Sequence, residues 1–121
     1  MTIWLWLAVA VIGGVGASGR FVVDALISRR AGRDFPVGTL AINLTGTLLL
    51  GVLTGVGAGG NLLLLAGTAT LGSYTTFSTW MLETYRLAED AEPRPALINA
   101  LISLILGFAA ALLGRTIGLA L

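Results

Sequence analysis

The sequence contains no cysteine and no histidine. The first absence excludes a disulfide framework and a thiolate metal site. The second removes the commonest general base and metal ligand. Charge is almost as scarce: 11% of residues are charged, whereas a soluble domain carries about 25%. The net charge is +1, and Arg29, Arg30 and Arg33 form the one basic cluster. That leaves no footprint for nucleic acid and reads instead as a loop anchor beside a membrane.

What is present is apolar length, since 56% of the 121 residues are hydrophobic. Four apolar stretches, at 3–26, 37–56, 62–85 and 96–114, each reach the roughly 20 residues that a bilayer demands. The first begins at Ile3 with no basic segment before it and runs past Val23. It is too long for the apolar core of a secretory signal and is kept as a mature span. The expectation is an all-α membrane protein, a single four-helix transmembrane domain over 1–121, with membrane lipid as its surroundings.

The links Ser28–Pro36 and Arg86–Pro95 carry most of the charge, and Gly57–Asn61 carries none. An even number of spans puts the two charged links on one side. Arg29, Arg30, Arg33, Arg86 and Arg94 then oppose Arg115, a bias that favours termini outside. Glycine supplies 17 residues, several as small-xxx-small pairs such as Gly51 with Gly55 and Gly13 with Ala17. Such pairs let helices approach closely, within the chain or across a dimer.

Polar side chains inside spans are costly and point to function. Thr39, Asn43, Thr47, Ser73, Thr76, Ser78, Thr79, Asn99 and Ser103 qualify, and none of them is ionisable. At 1.5 Å per residue, Asn43 lies roughly 9 Å from the charged side. Ser78 and Thr79 reach a similar depth, and Asn99 and Ser103 enter from the same side. Polar groups therefore gather in one half of the bilayer, a half-path that a second, inverted copy would complete.

The segment Leu71–Trp80, LGSYTTFSTW, predicts a break in the third span. Gly72 and a run of β-branched and hydroxyl residues weaken a helix, and a broken membrane helix must bury its freed backbone groups or bind something with them. The plainer alternative is that Ser and Thr bond back to their own helix. Phe77 and Trp80, three apart, share a face of a helix restarting near Phe77, and an aromatic edge carries the positive partial charge that faces an anion. Trp80 also suits an interfacial belt. Arg20, about 26 Å along the first helix, reads as a partner for Asp24 or as a vestibule charge that attracts anions.

Four pieces, GGVGASGRF (Gly13–Phe21), GTLAINLTGTLLLG (Gly38–Gly51), GSYTTFSTW (Gly72–Trp80) and NALISLILG (Asn99–Gly107), occur in order and spacing along the whole chain. With them the sequence resembles the small bacterial fluoride channels of the Fluc, or CrcB, family. The resemblance implies a multi-pass protein of the bacterial cell membrane that exports fluoride passively. It implies a dual-topology, antiparallel dimer with two fluoride pathways and a structural Na+ at its centre. It places Na+ on the backbone carbonyls of Gly72 and Thr75. It places fluoride along Asn43, Thr76, Phe77, Ser78, Thr79, Trp80 and Ser103, with Arg20 matching the arginine at the end of the family's first helix.

The sequence departs from the family pattern at Trp80, where phenylalanine is usual. Its arginine bias suits a fixed orientation, so the inverted second subunit is either an identical copy or an oppositely oriented paralogue. Two other readings remain: a small multidrug-type cation exporter, which needs a membrane-buried carboxylate that Asp24 and Glu83 supply poorly, and a non-conducting membrane subunit. No nucleophile–base pair suggests an enzyme.

Overall fold

The computed structural model describes residues 1–121 and is helical almost throughout. Helix α1 (Ile3–Ala31) starts where the Thr2 hydroxyl accepts from Leu5 N at 3.3 Å and stops at Gly32, whose φ is 77°. It thus continues through Arg29 and Arg30, beyond the expected end at residue 26. Two arginines in a last turn suit the negative end of the helix dipole, so the helix outlasts its apolar run.

Helix α2 (Val37–Gly55) follows Pro36 and closes before Gly57, φ 76°. The next helical stretch, α3 (60–74), consists of a first turn Gly60–Leu62, a π-wound run Leu63–Leu71 and a closing turn Gly72–Tyr74. Helix α4 (Ser78–Glu89) and helix α5 (Pro93–Ala120) complete the chain. Pro93 and Pro95 fall in the first turn of α5 rather than in a link. Proline is tolerated there because those N–H groups lack helical partners anyway.

The break between α3 and α4 is narrower than the expected Leu71–Trp80. Thr75 N still donates to Leu71 O at 2.9 Å, which keeps Gly72–Tyr74 helical, and Met81 N already returns to Phe77 O at 3.0 Å. Only Thr75, Thr76 and Phe77 lie outside helix. The π winding has no counterpart in the sequence reading. Its wider turn lets the Thr70 hydroxyl donate to the carbonyl five residues back, Leu65 O, at 2.7 Å.

Three helices, α1, α2 and α5, are long and apolar enough to cross a membrane. They pack through glycine. A Cβ on Gly51 or Gly55 would collide with the backbone of α5 at Ala111 or Arg115, and one on Gly114 or Gly118 with the backbone of α2 at Leu48 or Val52. These pairs therefore serve packing within the chain, where the two backbones touch. Gly16 meets the Thr70 backbone of α3 in the same way. Only 14 of 121 residues are buried, so nearly all the apolar surface must be covered by lipid or another chain.

Candidate functional site: the helix break and the groove beside it

The freed backbone at the break is caught by one side chain. Asn43 of α2 donates from Nδ2 to Thr76 O at 2.9 Å and accepts at Oδ1 from Thr76 N at 2.8 Å. Both polar groups of the Thr76 backbone are satisfied by one amide, as a paired strand would satisfy them. The Thr76 hydroxyl then accepts from Thr79 N at 3.2 Å and donates to Thr79 Oγ1 at 3.1 Å. It caps α4 and is spent in doing so. Ser78 Oγ lies 3.5 Å from the same oxygen.

Arg20 does not turn to Asp24, one turn away. Its Nη1 donates to Thr75 O at 3.4 Å, and Asp24 Oδ1 accepts from Ser28 Oγ at 3.4 Å. The guanidinium of α1 therefore stands at the C-terminal edge of α3, where an unpaired carbonyl and the negative end of a helix attract it.

The candidate residues divide between two hollows on either side of the Asn43–Thr76 clamp. A groove of about 300 Å³ between α2, α4 and α5 is lined by Asn43, Trp80 and Ser103, together with Thr47, Gly107 and Phe108. A second hollow of about 240 Å³ gathers Arg20, Asp24, Thr39, Thr76 and Thr79. Phe77 and Ser78 line neither; Phe77 is 70% exposed on the surface of the chain, its ring 5.6 Å from that of Trp80 and edge-on at 83°.

Several hydroxyls in the helices bond back to their own backbone, as Thr45, Thr54, Thr84 and Thr116 do. Thr47 and Ser103 differ: both line the groove and neither donates to a protein acceptor. Thr47 stands one turn after Asn43 and Gly107 one turn after Ser103, so helical spacing from the named residues points to both. Phe108 carries no such signal. Asn99, expected beside Ser103, is 1% exposed and faces α4 instead, where Nδ2 donates to Thr84 Oγ1 at 2.8 Å.

Thr39 of the second hollow reaches Glu83, which itself lines a separate hollow near the loops with Arg33 and Arg86. Glu83 Oε1 accepts a short hydrogen bond from Thr39 Oγ1, with Thr39 itself 5% exposed. Toward a cation, the break offers hard carbonyl oxygen. Neither Thr76 N nor Phe77 N returns to the carbonyls of Gly72 and Ser73, and Gly72 and Thr75 line a shared hollow of about 190 Å³ with Gly46 and Thr68. Unwound carbonyls of this kind suit an alkali cation. One chain brings too few of them to replace a hydration shell, and Thr75 O is already shared with Arg20.

Residues 7–115 match the family described as CrcB-like protein, Camphor Resistance (CrcB). A protein of Mycolicibacterium paratuberculosis named fluoride-specific ion channel FluC 2 is 55% identical over 114 residues, covering 94% of this chain and 93% of that one. Its namesake in Mycobacterium bovis is 52% identical over 117 residues, 97% and 93% of the two chains. The FluC 1 of Symbiobacterium thermophilum is 42% identical over 119 residues, 93% and 96%. With matches that run nearly end to end and three helices able to cross a bilayer, the chain is a multi-pass membrane protein that belongs to the CrcB family.

Proposed function

We propose that this chain is a fluoride-selective channel subunit that lets fluoride leave the bacterial cytoplasm down its gradient. The observation that carries the reading is the groove between α2, α4 and α5, where Thr47 and Ser103 keep their hydroxyls free beside the ring of Trp80. Fluoride is small, hard and strongly hydrated. A path for it must replace water by neutral donors, because binding has to be strong enough for entry and weak enough for release. Hydroxyl and ring C–H groups meet that requirement, and the names of the relatives agree with it.

In this reading α3 and α4 together form a fourth span. The 12 residues of α4, added to the nine π-wound residues and their flanking turns, are enough for a hydrocarbon core of about 30 Å. The break then lies within the membrane, and the groove serves one half of its thickness. An inverted second subunit completes it, giving an antiparallel dimer with two pathways. That arrangement also covers Phe77, whose ring is otherwise exposed beside Trp80, and brings a second Gly72 and Thr75 toward the first. Those four carbonyls would hold Na+, whose role is structural: it neutralises the oxygens that the break leaves open.

Fluoride efflux from proteoliposomes, read with a fluoride electrode, tests the function. The purified chain is expected to release fluoride and retain chloride, and Phe77→Ile to slow the release. Equal passage of the two halides would overturn the reading. Proton-coupled uptake of a lipophilic cation would favour an exporter, and the absence of any flux a non-conducting subunit. Efflux from the chain alone identifies an identical copy as the partner; efflux that needs a coexpressed relative identifies a paralogue.

A further inference from the structure

Trp80 is held by a ring of hydrogen bonds that the pathway itself does not require. Its indole Nε1 donates to the Asn99 carbonyl at 3.1 Å. Its own carbonyl accepts from Thr84 Oγ1 at 2.9 Å, and Thr84 Oγ1 accepts from Asn99 Nδ2 at 2.8 Å. The ring thus joins α4 to α5 through both the side chain and the backbone of Asn99. Asn99 is sealed from the groove at 1% exposure, whereas Trp80 lines that groove with Ser103.

An indole differs from a phenyl ring by its N–H, a directed donor that a small anion would prefer to any C–H edge. Left free to turn toward the groove, that donor would replace the C–H edge as the contact offered to the anion. Here it is consumed by the Asn99 carbonyl. What the indole can offer an ion is its C–H edge, with positive partial charge. The anchored N–H also prevents the ring from turning over, so the same edge always faces the groove.

We propose that Thr84 and Asn99 are positioning residues for Trp80, which fasten its indole N–H to α5 and leave its C–H edge toward the groove, so that it acts on an anion as a phenyl ring does. This rests on the channel reading given above. Thr84 sets the arrangement because its hydroxyl serves both partners at once. Without it, the Asn99 side chain loses its acceptor on α4, and α5 is no longer held in register with the indole.

The test uses a background in which exposed Trp4 and Trp6 are replaced by phenylalanine, making Trp80 the one tryptophan. Thr84→Val in that background is expected to weaken the near-ultraviolet circular dichroism of a fixed indole and to lower fluoride-over-chloride selectivity about tenfold, roughly the loss of one hydrogen bond. Thr84→Ser should restore both. In a Trp80→Phe background, Thr84→Val should leave selectivity unchanged, since no N–H remains to be anchored. A loss of the same size in both backgrounds, or an unaltered Trp80 spectrum in Thr84→Val, would overturn the proposal. Should Thr84→Val not fold, Thr84→Ala makes the same comparison. A wild-type chain that passes no fluoride overturns the channel reading and the ion-facing half of this proposal, and the spectrum then decides the anchoring half alone.

Discussion

Asn43 grips Thr76 with both ends of its amide, at 2.9 Å and 2.8 Å, across 33 residues of sequence. The interrupted helix is held open by this contact, because Thr76 has no other partner for its backbone N–H or its carbonyl. It also forms the wall between the groove and the hollow that contains Arg20. One side chain thereby links a local defect to the shape of the path beside it.

Asn43→Leu removes both bonds and keeps the volume similar. Each orphaned backbone group costs about 1–3 kcal/mol, so a clear fall in thermal stability in detergent is expected, together with loss of fluoride efflux. Retained stability in Asn43→Leu would show that the break closes into a continuous helix without its clamp.

Thr76→Val deletes the hydroxyl that caps α4. Loss of such a cap costs about 1 kcal/mol, and Thr76→Ser, which keeps the oxygen, should recover it. Thermal unfolding of the two variants under identical conditions checks the comparison.

Two glycines of α5 separate packing from conduction. Gly114→Ala pushes a Cβ into the Leu48 carbonyl of α2 and should destabilise by about 1–3 kcal/mol. Gly107 lines the groove, and a Cβ placed on it would meet no atom within 4 Å. Gly107→Leu should therefore fold normally and still lower fluoride efflux at least tenfold. Unchanged efflux in Gly107→Leu would place the ion path elsewhere.

Thr47→Val and Ser103→Ala each remove a hydroxyl that bonds to no protein group. Stability should change little, while efflux falls by roughly one hydrogen bond's worth, about tenfold. The pair measured together tests whether both hydroxyls serve one path, since residues on a common path couple rather than add.

The three spans that α1, α2 and α5 supply are legible in the sequence through composition, and the break through Gly72 and its β-branched neighbours. The edges of that break are not, and the sequence places them too wide. Ser73 and Tyr74 stay helical because Leu71 still receives the Thr75 N–H, and Ser78 joins α4 because Thr76 caps it. Local spacing also suggests Asp24 as the partner of Arg20, one turn along the same helix. The chosen partner is Thr75, on another helix, because the break leaves a carbonyl there without a donor.

Glycine leaves a similar choice open. Gly51 and Gly55 signal close helix approach in any sequence, and the spacing alone suits a dimer as well as an intrachain contact. Their collision partners in α5 identify the contact as internal. The π winding of Leu63–Leu71 is invisible in the sequence because the same residues favour an ordinary helix. Within it the Thr70 hydroxyl reaches the Leu65 carbonyl, and Gly16 of α1 lies against the Thr70 backbone.

Membrane residence and the position of the helix break were determined by the sequence alone, because hydropathy and helix propensity add up residue by residue along the chain. Tertiary structure alone decided that Asn43 holds the break, that Arg20 leaves Asp24 for Thr75, and that Trp80 gives its N–H to Asn99. Each of those outcomes is a choice among donors and acceptors on different helices. Only the approach of the helices brings the competing partners within hydrogen-bond distance.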